Sequence, residues 1–359
     1  MEKSLCVAWL ALLIAALACS QAAQPIPTRP AAAPIPKGDR ILAIDVTEGK
    51  YGGYEAAFRL AQEAGAQTVS LSLGWDDLET APQVYQPDPN FLAIANLYYP
   101  PQKMPVELMI GPVDTNNLRL PADLRDKPFD DPQVIARFER LLDYVFSQIP
   151  DVELTLLSIG NEVDAYLGGD QAKWQQYQAF FKSTAEYARF LHPGLRVGVK
   201  GTFGGMMGAA QPYFRKLHVH SDLVLVTYYP IKADFSVQDP SVVGADFDRL
   251  AAAYPDKPIY ILEAGYPSGS ACNSSPELQA QFIRQVFAAW DRHTAQIKLV
   301  DFTWLTDVPS DSVEYFKQYY GVSDRRFVEF LATLGLRTYD GEDKPAFEAL
   351  REEASARGW

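Results

Sequence analysis

Short apolar runs alternate with segments of helical periodicity from residue 40 to the end of the chain. The runs are rich in Val, Ile and Leu and show little strict alternation, which is typical of strands buried on both faces of a sheet. Eight runs occur, at Ile41–Val46, Thr68–Trp75, Pro105–Pro112, Val152–Glu162, Leu195–Thr202, Asp222–Pro230, Pro258–Pro267 and Ile297–Leu305. The pattern predicts eight parallel strands.

The intervals between these runs carry helix signals. In Asp170–Leu191, bulky apolar residues recur at three- and four-residue steps, as on the buried face of a helix. Ser275 is a predicted N-cap with Pro276 at the first helical position, and Pro345–Ala354 is predicted to form a final helix. Eight strand–helix alternations without a break in composition predict one (β/α)8 TIM barrel, an α/β fold, over residues 39–359.

A doubly wound open sheet is the alternative fold. Such a sheet normally carries a glycine-rich turn after its first strand, and the segment "DVTEGKYGG" (Asp45–Gly53) does not fit that fingerprint. The barrel is therefore the favoured interpretation.

Residues 1–18 have the pattern of an export signal. The apolar run Leu5–Ala18 is too short to span a membrane. "ALAC" (Ala16–Cys19) resembles a bacterial lipobox, with Ala16 where Leu is usual, which makes Cys19 the predicted lipidation site. Residues 19–38 form a Pro/Ala-rich tether. We expect an exported protein, held at the cell envelope only through this lipid anchor, or secreted after cleavage near Ala18 or Ala22.

Composition narrows the range of ligands. The formal net charge of −13 argues against a nucleic-acid partner. Of three cysteines only Cys272 lies clearly in the mature domain, so neither an internal disulfide nor a cysteine metal site is expected. "HVH" (His218–His220) precedes the sixth run, at the end of the barrel away from the expected active site. We expect no metal and no cofactor, and the sequence gives no indication of oligomeric state.

Two glutamates lie at the ends of predicted strands. Active sites of these barrels form at the C-terminal ends of the strands, where Glu162 ends the fourth run and Glu263 lies late in the seventh. A pair of carboxyl groups is what cleavage of a glycosidic bond needs, since one protonates the leaving oxygen while the other attacks or stabilises the sugar carbon. Burial and mutual repulsion push the two pKa values apart.

The surrounding motifs resemble those of retaining glycoside hydrolases of clan A. "IGNEV" (Ile159–Val163) is similar to their acid/base motif and "ILEAGYPSG" (Ile261–Gly269) to their nucleophile motif. "VTYYP" and "EAGYP" are closest to family 53, the endo-β-1,4-galactanases, whereas "GNEV" and "EAGYPSGS" also resemble family 17, the endo-β-1,3-glucanases. "WDDLETAPQVY" and "LGLRTYDGEDKPAFEAL" resemble the second-strand and closing segments of clan members.

The resemblance assigns roles to individual residues. It makes Glu162 the general acid/base and Glu263 the nucleophile. Asn161 would bind the sugar hydroxyl beside the reacting carbon, Tyr229 would orient the nucleophile, and Trp304 would form the floor of the sugar site.

Two more aromatic residues at strand ends, Trp75 and Tyr228, are candidate sugar contacts, with packing in the core as the alternative. Because side chains alternate along a strand, only one of Tyr228 and Tyr229 is expected to face the cleft. Family 53 usually supplies an Arg near the nucleophile from the second strand, but "TVSLSLGW" contains none. Lys200 or a distant Arg would take its place.

The expected activity is hydrolysis of a β-linked polysaccharide or oligosaccharide by double displacement, with the two carboxyl groups about 5–5.5 Å apart. Two alternatives remain open at this point. One is a glycan-binding barrel without turnover, and the other is a metal-dependent barrel hydrolase.

Overall fold

Eight parallel strands surround the centre of the structure, a computed structural model that describes residues 33–359. The strands are β1 (Ile41–Ile44), β2 (Val69–Gly74), β3 (Val106–Asp114), β4 (Leu154–Asn161), β5 in two pieces (Val197–Gly198 and Lys200–Thr202), β6 (Val224–Tyr228), β7 (Ile259–Ala264) and β8 (Ile297–Phe302). All eight predicted runs contain a strand, and the predicted (β/α)8 fold is confirmed.

The barrel closes through β5 and through the contact between β1 and β2. The first piece of β5 pairs with β4, and the second pairs with β6. On the other side, β1 pairs with β8, and the backbone N–H of Gln67 donates to the carbonyl of Leu42 at 2.8 Å. The order around the barrel therefore runs from β1 to β8 and back to β1, with β1 and β2 between β8 and β3.

Helices cover the outside of the strands. They are α1 (Gly53–Glu63), α2 (Trp75–Leu78), α3 (Phe91–Tyr98), α4 (Pro132–Gln148), α5 (Val163–Leu167), α6 (Gln171–Leu191), α7 (Phe203–Met207), α8 (Gln211–Leu217), α9 (Val242–Ala253), α10 (Pro276–Arg292), α11 (Ser310–Tyr320), α12 (Arg325–Ala332) and α13 (Pro345–Arg357). Ser275 caps α10 as predicted, because its side chain accepts a hydrogen bond from the Leu278 N–H.

The apolar core has two parts. The larger part lies between strands and helices. The smaller part fills the inside of the barrel and consists of Ala43, Leu156, Leu223, Leu225, Tyr260, Leu262 and Leu299. Further along the same strands, toward their C-terminal ends, the inward positions become polar, as in Lys200 and Thr227. This change in side-chain polarity leaves one end of the barrel open for a site.

A long excursion separates β8 from the last helix. The chain leaves the barrel near Leu305, forms α11 and α12, and returns where the Leu336 N–H donates to the carbonyl of Trp304 at 2.8 Å. On its way it packs over the β6 loop, with the Phe330 ring edge-on to Tyr229 at 5.4 Å. The excursion thus lies over the C-terminal mouth of the barrel.

The signal peptide, Cys19 and the tether up to residue 32 lie outside the described residues, so the predictions for them stay predictions. From residue 33 onward, no helix has both the length and the apolar character needed to cross a membrane.

A buried ion cluster joins the first and last elements of the barrel. Asp291 in α10 accepts from Arg40, just before β1, at 2.8 Å and from Arg357, at the end of α13, at 2.7 Å. The Arg40 side chain is fully buried. The two guanidinium groups therefore share one carboxylate. Arg357 also pairs with Glu353 at 2.6 Å, whereas Arg40 pairs with no other carboxylate among residues 33–359.

We expect Asp291→Asn to lower the free energy of unfolding by about 3–5 kcal/mol, because the buried Arg40 guanidinium loses its counter-charge and Arg357 keeps only Glu353. Urea denaturation checks this. The matched control is Asp248→Asn, which removes an exposed carboxylate from Arg292 and His293 and should change stability by less than about 1 kcal/mol. Equal losses in both variants would contradict the interpretation.

Candidate active site

One cavity opens at the C-terminal ends of the strands and has a volume of about 620 Å³. Glu162 and Glu263 both line it, as do Asn161, Tyr229 and Trp304. Five of the seven predicted catalytic and sugar-binding residues therefore meet in one place.

The end of β4 has a backbone shape that presents Glu162 to the cavity. Gly160 has a φ of 95°, and a Cβ there would collide with the hydroxyl of Tyr177, which itself donates to the Ile159 carbonyl at 2.8 Å. Glu162 is also left-handed, with φ 43° and ψ 44°. This conformation is uncommon for a residue other than glycine, and such residues are concentrated at functional sites.

Two threonine hydroxyls hold the Glu162 carboxyl group. Thr115, after β3, donates to Oε2 at 3.0 Å, and Thr227 of β6 donates to Oε1 at 2.6 Å. Burial, followed by the charge of Glu263, raises the pKa of Glu162 to about 7, against the opposing effect of the Thr227 hydrogen bond. Glu162 therefore keeps its proton at mildly acidic pH, as a proton donor must.

The Glu263 carboxylate has two different donors. The Lys200 ammonium lies 2.7 Å from Oε1, and the Tyr229 hydroxyl donates to Oε2 at 2.8 Å. Gly265 makes room for Tyr229, because a Cβ at that position would collide with the tyrosine ring. The charge partner that "TVSLSLGW" lacks is thus supplied by Lys200 from β5.

Lys200 stays charged although it is buried. Burial opposes the ammonium form, but the charge and hydrogen bond of Glu263, with Glu162 and Asp114 further away, raise the pKa of Lys200 overall. The Lys200 ammonium is therefore a fixed positive charge 2.7 Å from Glu263 Oε1.

Thr227 lies between the two glutamates. Its backbone is in register with Glu263 in the pairing of β6 with β7, while its hydroxyl bonds Glu162. Thr115 and Thr227 were not among the predicted site residues. In the sequence, only their positions near the ends of the third and sixth runs point to the site. A threonine at such a position is equally compatible with other structural roles.

Asn161 and Trp304 border the same space. The Asn161 amide nitrogen donates to Asp114 Oδ1 at 2.8 Å, which leaves its buried oxygen without a hydrogen-bond partner among the described residues. Trp304 lines the cavity and is stacked on Phe316 of α11, with ring centroids 5.8 Å apart. Asp45 lines the same cavity. Burial and the charge of Glu263 raise the pKa of Asp45 to about 6, whereas Lys200 and a hydrogen bond with the Trp304 side chain lower it.

The predictions for Trp75 and Tyr228 as sugar contacts are wrong. Both side chains are fully buried in the layer between strands and helices. The Trp75 indole donates to Glu79 at 2.7 Å, and the Tyr228 hydroxyl donates to Asp246 at 2.9 Å. The physical reason for Tyr228 is the strand alternation: the cleft side is occupied by Tyr229, so its neighbour faces the helices. Trp75 already belongs to α2, which turns it outward from the barrel.

Two more carboxyl groups lie in the barrel below the cavity. Glu107 and Asp301 are buried and leave carboxyl oxygens without hydrogen-bond partners among the described residues. Burial raises the pKa of Glu107 to about 8, with a smaller effect of Asp45 in the same direction, and raises that of Asp301 well above its usual range. Burial thus favours the neutral form of both carboxylic acids beneath the site.

The residues of "HVH" lie in a short 3-10 helix before β6 and do not line the cavity. His218 is buried, and burial lowers its pKa to about 3, so the ring is neutral. Within residues 33–359 no group of three or more His, Cys, Asp or Glu is arranged to hold a metal ion.

Proteins similar to this chain are found by comparison of structures and not by comparison of sequences. No protein-family model matches the chain. No curated protein matches it either.

Solved structures of glycoside hydrolases share the fold. Exo-beta-1,4-mannosidase Op5Man5 from Opitutaceae bacterium strain TAV5 is 17% identical with a TM-score of 0.68, over 89% of this chain and 59% of the mannosidase. A GH5_18 from Streptomyces cattleya, in complex with Manb1-4GlcNAc, is 16% identical with a TM-score of 0.67, over 88% and 80%. A GH5_18 from Bifidobacterium longum subsp. infantis is 14% identical with a TM-score of 0.65, over 88% and 78%.

These similarities establish that the chain shares its barrel fold with these glycoside hydrolases. The chain spans about three fifths of the mannosidase. None of the three structures is named as a member of family 53 or family 17, so the closer resemblance to those families gains no support from them.

We expect the pKa of Glu162 to fall below 7 in Glu263→Gln, because the negative charge that opposes ionisation of Glu162 is removed while burial is unchanged. A ¹³C NMR titration of labelled glutamate measures this, with Glu162→Gln used to assign the resonance. Asp45→Asn, which removes a carboxyl group that does not contribute to the Glu162 shift, is the control. An unchanged Glu162 titration in Glu263→Gln would show that the two groups do not interact.

Proposed function

We propose that the protein is a retaining glycoside hydrolase that cleaves β-linked glycans with Glu162 as general acid/base and Glu263 as nucleophile. The observation that carries the proposal is the contrast between two carboxyl groups in one cavity. Glu162 is bonded to two hydroxyls and has a raised pKa, whereas Glu263 is bonded to an ammonium group and a phenol. One is equipped to give a proton and the other to attack.

The first step forms a glycosyl-enzyme ester. Glu263 attacks the anomeric carbon, the bond from that carbon to the leaving oxygen breaks, and Glu162 gives its proton to that oxygen. Tyr229 and Lys200 fix the direction of the Glu263 carboxylate. Asn161, itself oriented by Asp114, is placed to bind the neighbouring sugar hydroxyl.

The second step releases the sugar. Glu162, now ionised, takes a proton from water, and the resulting hydroxide adds to the anomeric carbon as the bond to Glu263 breaks. Two displacements on opposite faces of the sugar restore the original configuration.

The charge of the cavity favours a neutral sugar. Four acidic residues line it, Asp45, Asp114, Glu162 and Glu263, against two lysines, of which Lys200 is already paired. A uronic acid would add a further negative charge to this surface. Neutral β-linked hexoses are therefore the proposed substrate class, a proposal that agrees with the mannosidase and the Manb1-4GlcNAc complex among the structural neighbours. The galactans and β-1,3-glucans of families 53 and 17 belong to the same class.

We expect the protein to hydrolyse at least one member of a panel of β-mannans, β-galactans, β-1,3- and β-1,4-glucans and Manb1-4GlcNAc, and not 4-nitrophenyl β-glucuronide. Glu162→Gln and Glu263→Gln should each lower kcat by about 10²–10⁴-fold or more, whereas Glu63→Gln, on the exposed side of α1, should not. ¹H NMR of the first product should show the β-anomer.

An α-anomer would contradict the double displacement. Tight glycan binding with no turnover of any panel member would instead support the alternative of a binding protein without catalysis.

We also propose that Cys19 is lipidated and anchors the protein at the cell envelope, on the strength of "ALAC" and the proline-rich segment behind it. Stable anchoring needs more than one lipid chain, as bacterial lipoproteins have. In a bacterial host, Cys19→Ser should abolish labelling by a fatty-acid probe and move the protein out of the membrane fraction, with Cys6→Ser as the control. A mature N-terminus beyond Cys19 in the wild type would refute the lipid anchor.

A further inference from the structure

The end of β3 forms a hairpin with a short antiparallel strand, Asn117–Leu118. The excursion after β8 is tied to this β3 hairpin, on the far side of β1 and β2. Asn116 donates to the carbonyl of Tyr320 and Asn117 to that of Tyr319, each at 3.0 Å. The Tyr319 hydroxyl donates to Asp114 Oδ2 at 2.6 Å. We name these contacts the Tyr319 bridge; it consists of Asp114, Asn116 and Asn117 of the hairpin with Tyr319 and Tyr320 of α11.

Arg119 reinforces the bridge from outside. Its guanidinium donates to the Tyr319 hydroxyl at 2.9 Å, lies over the Tyr319 ring, and is paired with Asp76 at 2.7 Å and with Asp77. The Tyr319 hydroxyl is thus both donor and acceptor in a fixed network. Because β1 and β2 lie between β8 and β3, a link from the β8 excursion to the β3 hairpin spans the mouth above β1 and β2.

The excursion is anchored on the opposite side as well. In α12, Phe330 packs on Tyr229, and Phe327 packs edge-on against Phe235 of the β6 loop at 5.1 Å. After α12, the Ser268 N–H from the β7 loop donates to the Thr333 carbonyl at 3.0 Å. The excursion therefore has contacts on both sides of the mouth and forms a wall rather than a free loop.

The positions of the two glutamates identify which sugar lies behind this wall. The acid must face the leaving oxygen, so the leaving group extends along the side of Glu162, and the attacked ring lies on the other side of Glu263. On that other side the cavity is lined by Asp45, Ser72 and Trp304. The bridge residues Asp114, Asn116 and Tyr320 line the same cavity.

The side of the leaving group is open by contrast. There the cavity is lined by Thr202, Phe203, Gly204, Lys232 and Ala233, of which Gly204, Lys232 and Ala233 are exposed. A glycan chain can leave the cavity in this direction, whereas in the direction of Asp45 it meets the bridge.

We propose that the Tyr319 bridge closes the glycone side of the cleft, so that the enzyme removes single sugars from the non-reducing end of its glycan. This inference rests on the proposed function and adds the mode of action to it. The bridge determines specificity by exclusion: a chain that continues beyond the attacked sugar would have to displace Tyr319 and Tyr320.

The order of product release tests the proposal. β-1,4-Mannotetraose, cellotetraose, β-1,4-galactotetraose and laminaritetraose, each labelled with 2-aminobenzamide at the reducing end, are digested by the full chain and separated by chromatography. A labelled trisaccharide and a free monosaccharide should be the first products. A labelled mono- or disaccharide as first product would overturn the exo assignment and leave the glycosidase proposal standing.

Binding gives a second test that does not depend on turnover. The same tetrasaccharides, with and without a 4,6-O-benzylidene cap on the non-reducing terminal sugar, are titrated into Glu162→Gln by calorimetry. The cap should weaken binding at least tenfold, since it projects into the bridge. Equal affinity would overturn the closed pocket. If no tetrasaccharide is hydrolysed by the wild type while the cap still blocks binding, the glycosidase proposal fails and the pocket stands.

The bridge itself is tested with Asn117→Ala/Tyr319→Phe, which removes two of its hydrogen bonds. The ratio of the rates on capped and uncapped substrate should rise at least tenfold, and Tyr319→Phe alone should raise it less. A ratio is used because any general loss of activity cancels. Tyr315→Phe, a change on the 60% exposed Tyr315 of the same helix, is the matched control and should leave the ratio unchanged. An unchanged ratio in the double variant would show that the bridge does not exclude longer chains.

Discussion

The ion pair between Lys200 and Glu263 is the interaction on which the upper half of the barrel depends. Carboxyl groups converge on this region from β1, β3, β4, β7 and β8, and Lys200 is buried among them. A buried charge is tolerated only when a partner compensates it. One ammonium group compensates one carboxylate, Glu263, and the remaining acids are protonated or hydrogen-bonded. Because only one buried ammonium group lies in this region of the described chain, Glu263 has a charged partner, whereas Glu162 has hydroxyl partners.

The two acids below the cavity are subject to the same limit on buried charge. Glu107 and Asp301 are buried inside the barrel, and burial raises the pKa of both carboxyl groups against the opposing charge of Lys200. In their neutral form these two groups do not compete with Glu263 for the Lys200 ammonium. At higher pH their ionisation would compete for the same ammonium group. The layer beneath the site therefore sets an upper pH for its electrostatic arrangement.

The sequence predicted the fold and the two glutamates because both depend on local patterns. Buried parallel strands are continuous apolar runs, and Glu162 and Glu263 are placed by the ends of those runs. The alternation of side chains predicted that only one of Tyr228 and Tyr229 faces the cleft, and the resemblance assigned a role to Tyr229. For Trp75 the sequence did not distinguish cleft from core, because a shift of one residue at the junction of β2 and α2 decides between them. Thr115 and Thr227 bond to Glu162, and Lys200 pairs with Glu263, so each of these contacts joins residues that are distant in sequence. Only the register of neighbouring strands brings them together, and a single sequence does not contain that register.

The bridge over the glycone side is linked to the chemistry through Asp114. One oxygen of Asp114 accepts from Tyr319 and the other from Asn161, whose neighbour is Glu162. The next residue along the chain, Thr115, donates its hydroxyl to Glu162 Oε2 at 3.0 Å. Asp114 is therefore the one residue of the bridge that also orients a residue beside the acid. The shape requirement at the chain end and the position of Asn161 meet in this carboxylate, so a change at Asp114 would alter both, whereas a change at Tyr319 leaves the hydrogen bonds of Glu162 in place.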